Sequence, residues 1–312
     1  MENSFPYSFN EKRYHTFNYY LKTTYHGKVS KVILDAGFTC PNRDGSKGHG
    51  GCIFCSAKGS GDSNSFSKED ILKQYAENKK VMDSKWPNSL YIPYFQSYTN
   101  TYGPLSKIKE MLEPFIDMDE VAEIAIATRP DCLEEETIQY LDSLCGKKQI
   151  WLELGLQSSN DHTGELINRK HSFSDFADAL NRLEKTRIKV CVHIMNGLPF
   201  ETVEDMLKTV TDIKDLPFDG IKIHMLHILK DTALARLYED ERFKLISRDE
   251  YIKLVVKQLE LLRPEVIVQR LTGDPLKEEL VVPDWVLNKT TILNDIDKLM
   301  RRLDTYQGAR HE

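Results

Sequence analysis

The chain has 312 residues, a formal net charge of −6 and an isoelectric point near 5.9, a balance that argues against a protein coating nucleic acid through bulk positive charge and leaves only a local basic site open. It contains no run of about 18 apolar residues, and its start, Met1-Glu2-Asn3-Ser4-Phe5-Pro6, lacks the basic-then-apolar build of a secretory signal, so a cytoplasmic location without membrane contact is expected. Six cysteines, three of them in one loop, do not form a disulfide framework, and the length suits one large α/β domain with elaborated ends.

Short apolar strands alternate with longer helical stretches, the pattern of βα units around a parallel sheet. Before the first strand, an arm over 1–27 and the residue after it interleave Tyr7, Phe9, Tyr14, Phe17, Tyr19, Tyr20 and Tyr25 with Lys12, Arg13, His15, Lys22 and Lys28. These rings either stack on bases beside phosphate partners or close the bottom of the fold. Strands are predicted near 29–35, 89–95, 122–128, 149–155, 189–195 and 221–227. Ser67-x-x-Asp70, Thr202-x-x-Asp205 and Ser247-x-x-Glu250 read as helix N-caps with an acidic third residue.

After Val32-Ile33-Leu34 comes a loop with Cys40, Cys52 and Cys55 in a C-x11-C-x2-C arrangement. Cys52 and Cys55 can share one turn, and Gly45, Gly48, Gly50 and Gly51 let the loop bring Cys40 back and aim N–H groups at an anionic core. Three thiolates on one loop can ligate three irons of a 4Fe-4S cluster and leave the fourth open to a small molecule. The spacing also admits a structural zinc site with His49 as fourth ligand, in a non-catalytic nucleic-acid binding module.

Strand parity orders the interior. In 149–157 the period of two puts Ile150, Leu152, Leu154 and Leu156 on one face and Trp151, Glu153, Gly155 and Gln157 on the other. The same parity groups Cys191 with His193 and Met195, and Lys222 with His224. Polar groups pointing inward at the C-terminal ends of parallel strands mark a ligand site.

The loop, together with Tyr94-Phe95-Gln96-Ser97-Tyr98-Thr99-Asn100-Thr101-Tyr102, Thr128-Arg129-Pro130-Asp131-Cys132, Gly155-Leu156-Gln157-Ser158, Asn196-Gly197-Leu198-Pro199, Leu271-Thr272-Gly273-Asp274-Pro275 and Asp304-Thr305-Tyr306-Gln307-Gly308, resembles the radical SAM proteins. More closely, the chain resembles their YhcC/YtqA group, relatives of the catalytic subunit of Elongator. The resemblance implies a partial (βα)6 TIM-like barrel over 28–263, with an N-terminal extension over 1–27 and a C-terminal extension over 264–312 packed on it.

It also implies a 4Fe-4S cluster on Cys40, Cys52 and Cys55, with S-adenosylmethionine (SAM) on the open iron. Gln157 and Arg169 would contact the ribose and carboxylate of SAM. The segment Gln96 to Thr101, with Gln96 and Asn100, would stand in for the usual glycine-rich turn at the methionine amine. His193, with Gly197 following, occupies the place of a ribose-binding acid. Cys132 is a candidate hydrogen-atom donor or a packing residue, and Cys132, Cys145 and Cys191 lack the spacing of a second cluster.

Ala127 stands where Elongator-type relatives often carry glutamate, and the chain ends at Glu312 without room for an acetyltransferase domain, so acetyl-CoA is not an expected substrate. The implied substrate is a tRNA wobble uridine with a carboxymethylaminomethyl-type side chain at C5, and the implied electron donor is of flavodoxin or ferredoxin type. A small metabolite is the alternative substrate. Lys298, Arg301 and Arg302, on a predicted helix with Ile292, Ile296, Leu299 and Leu303, form a basic turn that suits phosphate or is simply solvated.

Overall fold

The computed structural model describes residues 5–56 and 71–312. In chain order it holds α1 (Phe17–Tyr25), β1 (Val29–Leu34), α2 (Ile71–Lys85), β2 (Leu90–Phe95), α3 (Leu105–Ile116), β3 (Glu123–Thr128), α4 (Glu135–Leu144) and β4 (Gln149–Gln157). Then follow α5 (Asp161–Leu166), α6 (Phe173–Leu183), β5 (Lys189–Asn196), α7 (Val203–Ile213), β6 (Gly220–Met225), β7 (Ile228–Leu229), α8 (Ala233–Glu239), α9 (Arg248–Leu261), β8 (Ile267–Arg270), β9 (Leu280–Val282) and α10 (Lys289–Arg302). All six predicted strands are present.

The principal sheet runs β1-β2-β3-β4-β5-β6-β8, parallel throughout, and curls into a partial barrel. Its outer face carries Ile150, Leu152, Leu154 and Leu156 against Phe176 and Leu180 of α6, Val210 of α7 and Leu259 of α9 in one continuous core. The inner face is smaller and mixed, with Ile92, Tyr94, Ala125, Trp151 and Cys191 meeting Tyr20 and Leu21 of α1. Predicted parity therefore matches the observed faces. Thr202 and Ser247 form capping boxes with Asp205 and Glu250, and Ser172 forms a third with Asp175. The predicted cap at Ser67 lies outside the described residues.

Two differences from expectation concern the ends. The segment after 263 does more than pack on the barrel: β8 is the seventh strand of its sheet, and β9 pairs antiparallel with β7. Four residues are too short to show a period. The Lys31 ammonium of β1 donates to Gln269 Oε1 of β8 at 2.9 Å, so side chains bridge the two edges of the arc. The N-terminal segment lies at that seam, where Val268 N–H donates to His15 O at 2.7 Å.

The arm's rings close the barrel bottom. Tyr14 and Tyr20 are buried, and Phe17 and Tyr20 stand edge-on to Trp151 at 6.4 and 5.9 Å. Tyr20 and Tyr25 hydroxyls and Trp151 Nε1 all donate to the buried Glu123 carboxylate. Tyr14 and Tyr20 thus present no stacking surface for a base. On α10, Ile292, Ile296 and Leu299 are buried against the core, while Leu303 falls beyond the helix and is 56% exposed.

Candidate active site

At the C-terminal ends of the strands lies a cavity of about 280 Å³, walled by the cysteine loop on one side and by β4, β5, β6 and the segment after β8 on the other. Cys40, Cys52 and Cys55 all line it. The loop is a tied structure. Cys55 N–H donates to Cys52 O at 3.0 Å in a tight turn, Gly51 N–H to Asn42 O at 2.8 Å, and Ile53 N–H to Ile167 O at 3.1 Å. Asn168 Nδ2 reaches back to Gly51 O at 2.7 Å, so the segment after α5 braces the loop. Gly48 is required by contact: a Cβ there would sit 2.3 Å from Asn42 Oδ1.

The thiols behave as a set. A hydrogen bond from Cys55 draws Cys52 down to about 7, with the Arg129 charge helping, and the same bond with burial holds Cys55 well above the ordinary thiol range. Asn42 Nδ2 donates to Cys52 Sγ at 3.8 Å, and Arg43, Arg129 and Arg169 line the same cavity. An anionic core held by three thiolates fits this donor set, because each thiolate takes its own iron and cationic and N–H groups neutralise the sulfur. A single zinc ion needs its donors gathered about one point.

Gln157 and Gln96 line the cavity. Gln157 has φ +64°, at a register shift between β4 and β5, and its amide folds over Gly155, where a Cβ would lie 2.6 Å from Nε2. Left-handed backbone is uncommon at a non-glycine residue, and here it accompanies the register shift that ends the strand. His193 also lines the cavity, its Nε2–H donating to Glu153 Oε2 at 2.9 Å; burial first and the Lys222 charge second lower it to about 4, so it is neutral near pH 7.

Other expected contacts are placed differently. Asn100 is buried off the wall, its amide spent on the carbonyls of Phe95, Ser97 and Ala127. Gly197 is also off the wall, its φ of +87° turning the chain against Ile246. Arg169 touches the cavity but is 1% exposed, and its guanidinium donates to Leu156 O, Ser158 O, His171 O and Asp161 Oδ1. It clamps the turn after β4. Cys132 is buried off the cavity wall, and burial raises its thiol to about 12, so it keeps its proton.

The sequence assigns no role to several residues around the site. Arg129 pairs with both oxygens of Asp131 at 2.9 Å and donates to Arg169 O at 2.7 Å, tying the turn after β3 to the brace. Deeper, Glu153 is fully buried and accepts from Lys31 at 2.7 Å, from Lys222 and from His193. Burial pushes its carboxyl up, but Lys222, Lys31 and His193 outweigh burial and hold it well below the usual range. Lys222 also donates to Tyr94 Oη at 3.2 Å, and burial lowers it to about 7. Parity placed Glu153, His193 and Lys222 inside; Lys31, Tyr94 and Arg270 become partners only when the arc closes.

Known proteins agree with this arrangement. The radical SAM superfamily model matches residues 45–213 and the radical SAM C-terminal domain matches 218–302. The chain is 46% identical over 306 residues to YtqA of Bacillus subtilis, covering 98% of this chain and 95% of that one. It is 32% identical to YhcC of Escherichia coli, covering 90% of each. A tRNA uridine(34) acetyltransferase of Methanocaldococcus infernus is 27% identical over 154 residues, 48% of this chain and 28% of that one. The solved structure of Elp3 from the same archaeon superposes over 90% of this chain and 64% of its own, at TM-score 0.65 and 19% identity, a likeness of fold.

Proposed function

The chain belongs to the radical SAM superfamily, in the group of YtqA and YhcC, and from that premise we propose that it modifies a tRNA wobble uridine at its C5 side chain. Its cofactors are a 4Fe-4S cluster and SAM. Bound there, they would supply reductive cleavage of SAM and, through it, abstraction of a hydrogen atom from substrate carbon.

The observation that carries the radical SAM chemistry is the convergence of three loop thiols on the polar interior of a parallel sheet at its C-terminal ends. Cys40, Cys52 and Cys55 would hold the cluster. Asn42 would steady its sulfur, whereas the expected glycine donors are not free for it, the N–H groups of Gly45, Gly48 and Gly51 being spent on the carbonyls of Gly48, Pro41 and Asn42; Arg43 and Arg129 would offset its charge. Gln96 and Gln157 would orient SAM, while Arg169 positions Gln157 by holding the carbonyls of Leu156 and Ser158. The enclosing strands and the segment after β8 exclude water from a reactive intermediate.

The tRNA substrate rests on kinship with a tRNA uridine(34) acetyltransferase over about half of this chain. Purified protein, reconstituted anaerobically and reduced by dithionite in place of a flavodoxin- or ferredoxin-type donor, is incubated with SAM and tRNA lacking late wobble modifications. Nucleoside mass spectrometry should show a mass change at the wobble uridine that requires SAM. An unchanged nucleoside profile alongside SAM cleavage would refute the tRNA substrate in favour of a small metabolite.

A further inference from the structure

After β3 the chain turns sharply: Cys132 N–H donates to Arg129 O at 3.2 Å, and Pro130 presets the first corner of the turn. The turn folds the Asp131 carboxylate back onto Arg129, whose Nε donates to Oδ1 and whose Nη2 donates to Oδ2, each at 2.9 Å. The same Oδ2 accepts from the Lys47 ammonium at 2.6 Å. Lys47 belongs to the cysteine loop, where its own N–H donates at 2.8 Å to the carbonyl of Pro41, the residue after Cys40. Asp131 stands off the cavity wall, its side chain 4% exposed. Burial pushes its carboxyl up, but Arg129 and Lys47 outweigh burial and hold it below its ordinary range, so it is charged near pH 7.

Arg129 carries the connection onward. Its Nη1 donates to Arg169 O at 2.7 Å and its Nη2 to Lys170 O at 3.2 Å. On either side of Arg169, Asn168 and Lys170 have φ of +57° and +62°, left-handed backbone that a non-glycine residue keeps only where its surroundings impose it. Asn168 is tied in turn to the loop, its carbonyl accepting from Asn42 Nδ2 and its own Nδ2 donating to Gly51 O. These links close a ring that leaves the cysteine loop at Asn42 and Gly51, passes through 168–170, Arg129 and Asp131, and returns to the loop at Lys47. A glycine-rich loop loses conformational freedom when it takes up a cluster, and a loop already fixed loses less.

We propose that Asp131 and Lys47 are positioning residues for the cluster: the buried carboxylate latches the cysteine loop to the Arg129 turn and keeps the three thiols set for iron. The ligand in this statement rests on the radical SAM reading, whereas the latch is a property of the chain alone.

Hydrogen exchange over residues 41–53 of the cluster-free, full-length protein tests the latch, and release of iron from the reconstituted protein into EDTA tests its purpose. Lys47 is 44% exposed, so its replacement spares the core. Lys47→Met should speed loop exchange about fivefold, as suits one charge-assisted contact half open to solvent, and leave β3 and β4 unchanged. Lys47→Arg, which keeps the charge, should restore the wild-type rate. Asp131→Asn should be at least as fast as Lys47→Met, and combining the two should add nothing. Iron release should accelerate in the same order. Loop exchange unaltered by Lys47→Met, raised equally in β3 and β4, not restored by Lys47→Arg, or additive in the double variant overturns the latch. If Asp131→Asn does not fold, the two Lys47 variants decide. Faster loop exchange with unchanged iron release overturns the positioning role. A wild type that takes up no iron overturns the radical SAM reading, and the exchange rates still decide the latch.

Discussion

Replacing Glu153 by glutamine removes one negative charge from a point where two ammonium groups and an imidazole meet out of water. Breaking a buried ion pair by deleting one partner costs about 3–5 kcal/mol, chiefly through the charge left behind. Two features reduce that figure here. Lys222 is already lowered to about 7, so it sheds its proton near neutral pH with little penalty, and the Lys31 side chain is 22% exposed and can reach solvent. The expected loss is therefore near the lower limit, about 3 kcal/mol. Urea unfolding of the cluster-free protein at pH 7, followed by circular dichroism, measures it. The double variant Glu153→Gln/Lys222→Met should recover at least half of the loss, because an apolar side chain of similar size leaves no orphaned charge on β6. A loss below about 1 kcal/mol, or a double variant no better than the single, would refute the claim that this network is held by its charges.

Lys222 gives wild-type stability a distinct pH dependence. Its folded pKa, about 7, lies below the ordinary lysine value in the unfolded chain, so between those values the unfolded state binds more protons and stability rises with pH. The rise, at most about 1.4 kcal/mol per pH unit, should show in urea midpoints from pH 7 to 9 and flatten in Lys222→Met; a parallel slope in the variant assigns it elsewhere. Gly155→Ala should displace the flexible end of Gln157, raising the SAM concentration for half-maximal cleavage about tenfold with iron content unchanged, and an unaltered SAM dependence would remove Gln157 from SAM binding. Cys132→Ala should leave 5′-deoxyadenosine formation within about twofold of wild type, since the thiol is off the cavity; loss of all product with the cluster intact would restore it as a reactive group. Tyr20→Phe, which takes a donor from buried Glu123, should lower stability by about 1–3 kcal/mol without changing SAM cleavage, and an unchanged urea midpoint would contradict the seal at the barrel bottom.

Local periodicity made most of the sheet legible. Alternation along 149–157 separated Trp151, Glu153, Gly155 and Gln157 from the helix-facing leucines because the strand period is fixed by backbone geometry. The cysteine loop was legible because chelation demands close spacing. What stayed hidden depends on closure. Lys31 and Arg270 lie 239 positions apart and approach Glu153 and the cavity floor only when β1 and β8 come together across the seam, a contact no window of sequence contains. Asn100 and Arg169 illustrate the opposite case: polar side chains at a mouth resemble ligand contacts in sequence, yet buried backbone carbonyls after β2 and β4 need donors and consume them. The same applies to Phe17, Tyr20 and Tyr25 of the N-terminal segment, which are taken up by Trp151 and Glu123.

The central claim is that the three loop thiols hold a cluster able to cleave SAM. Formation of 5′-deoxyadenosine by anaerobically reconstituted, dithionite-reduced protein, with iron and sulfide measured on the same sample, tests it most directly. About four irons and four sulfides per chain with product in the wild type, and neither in Cys40→Ala/Cys52→Ala/Cys55→Ala, is the predicted result. Zinc without iron or labile sulfide, or product persisting in the triple variant, would contradict it.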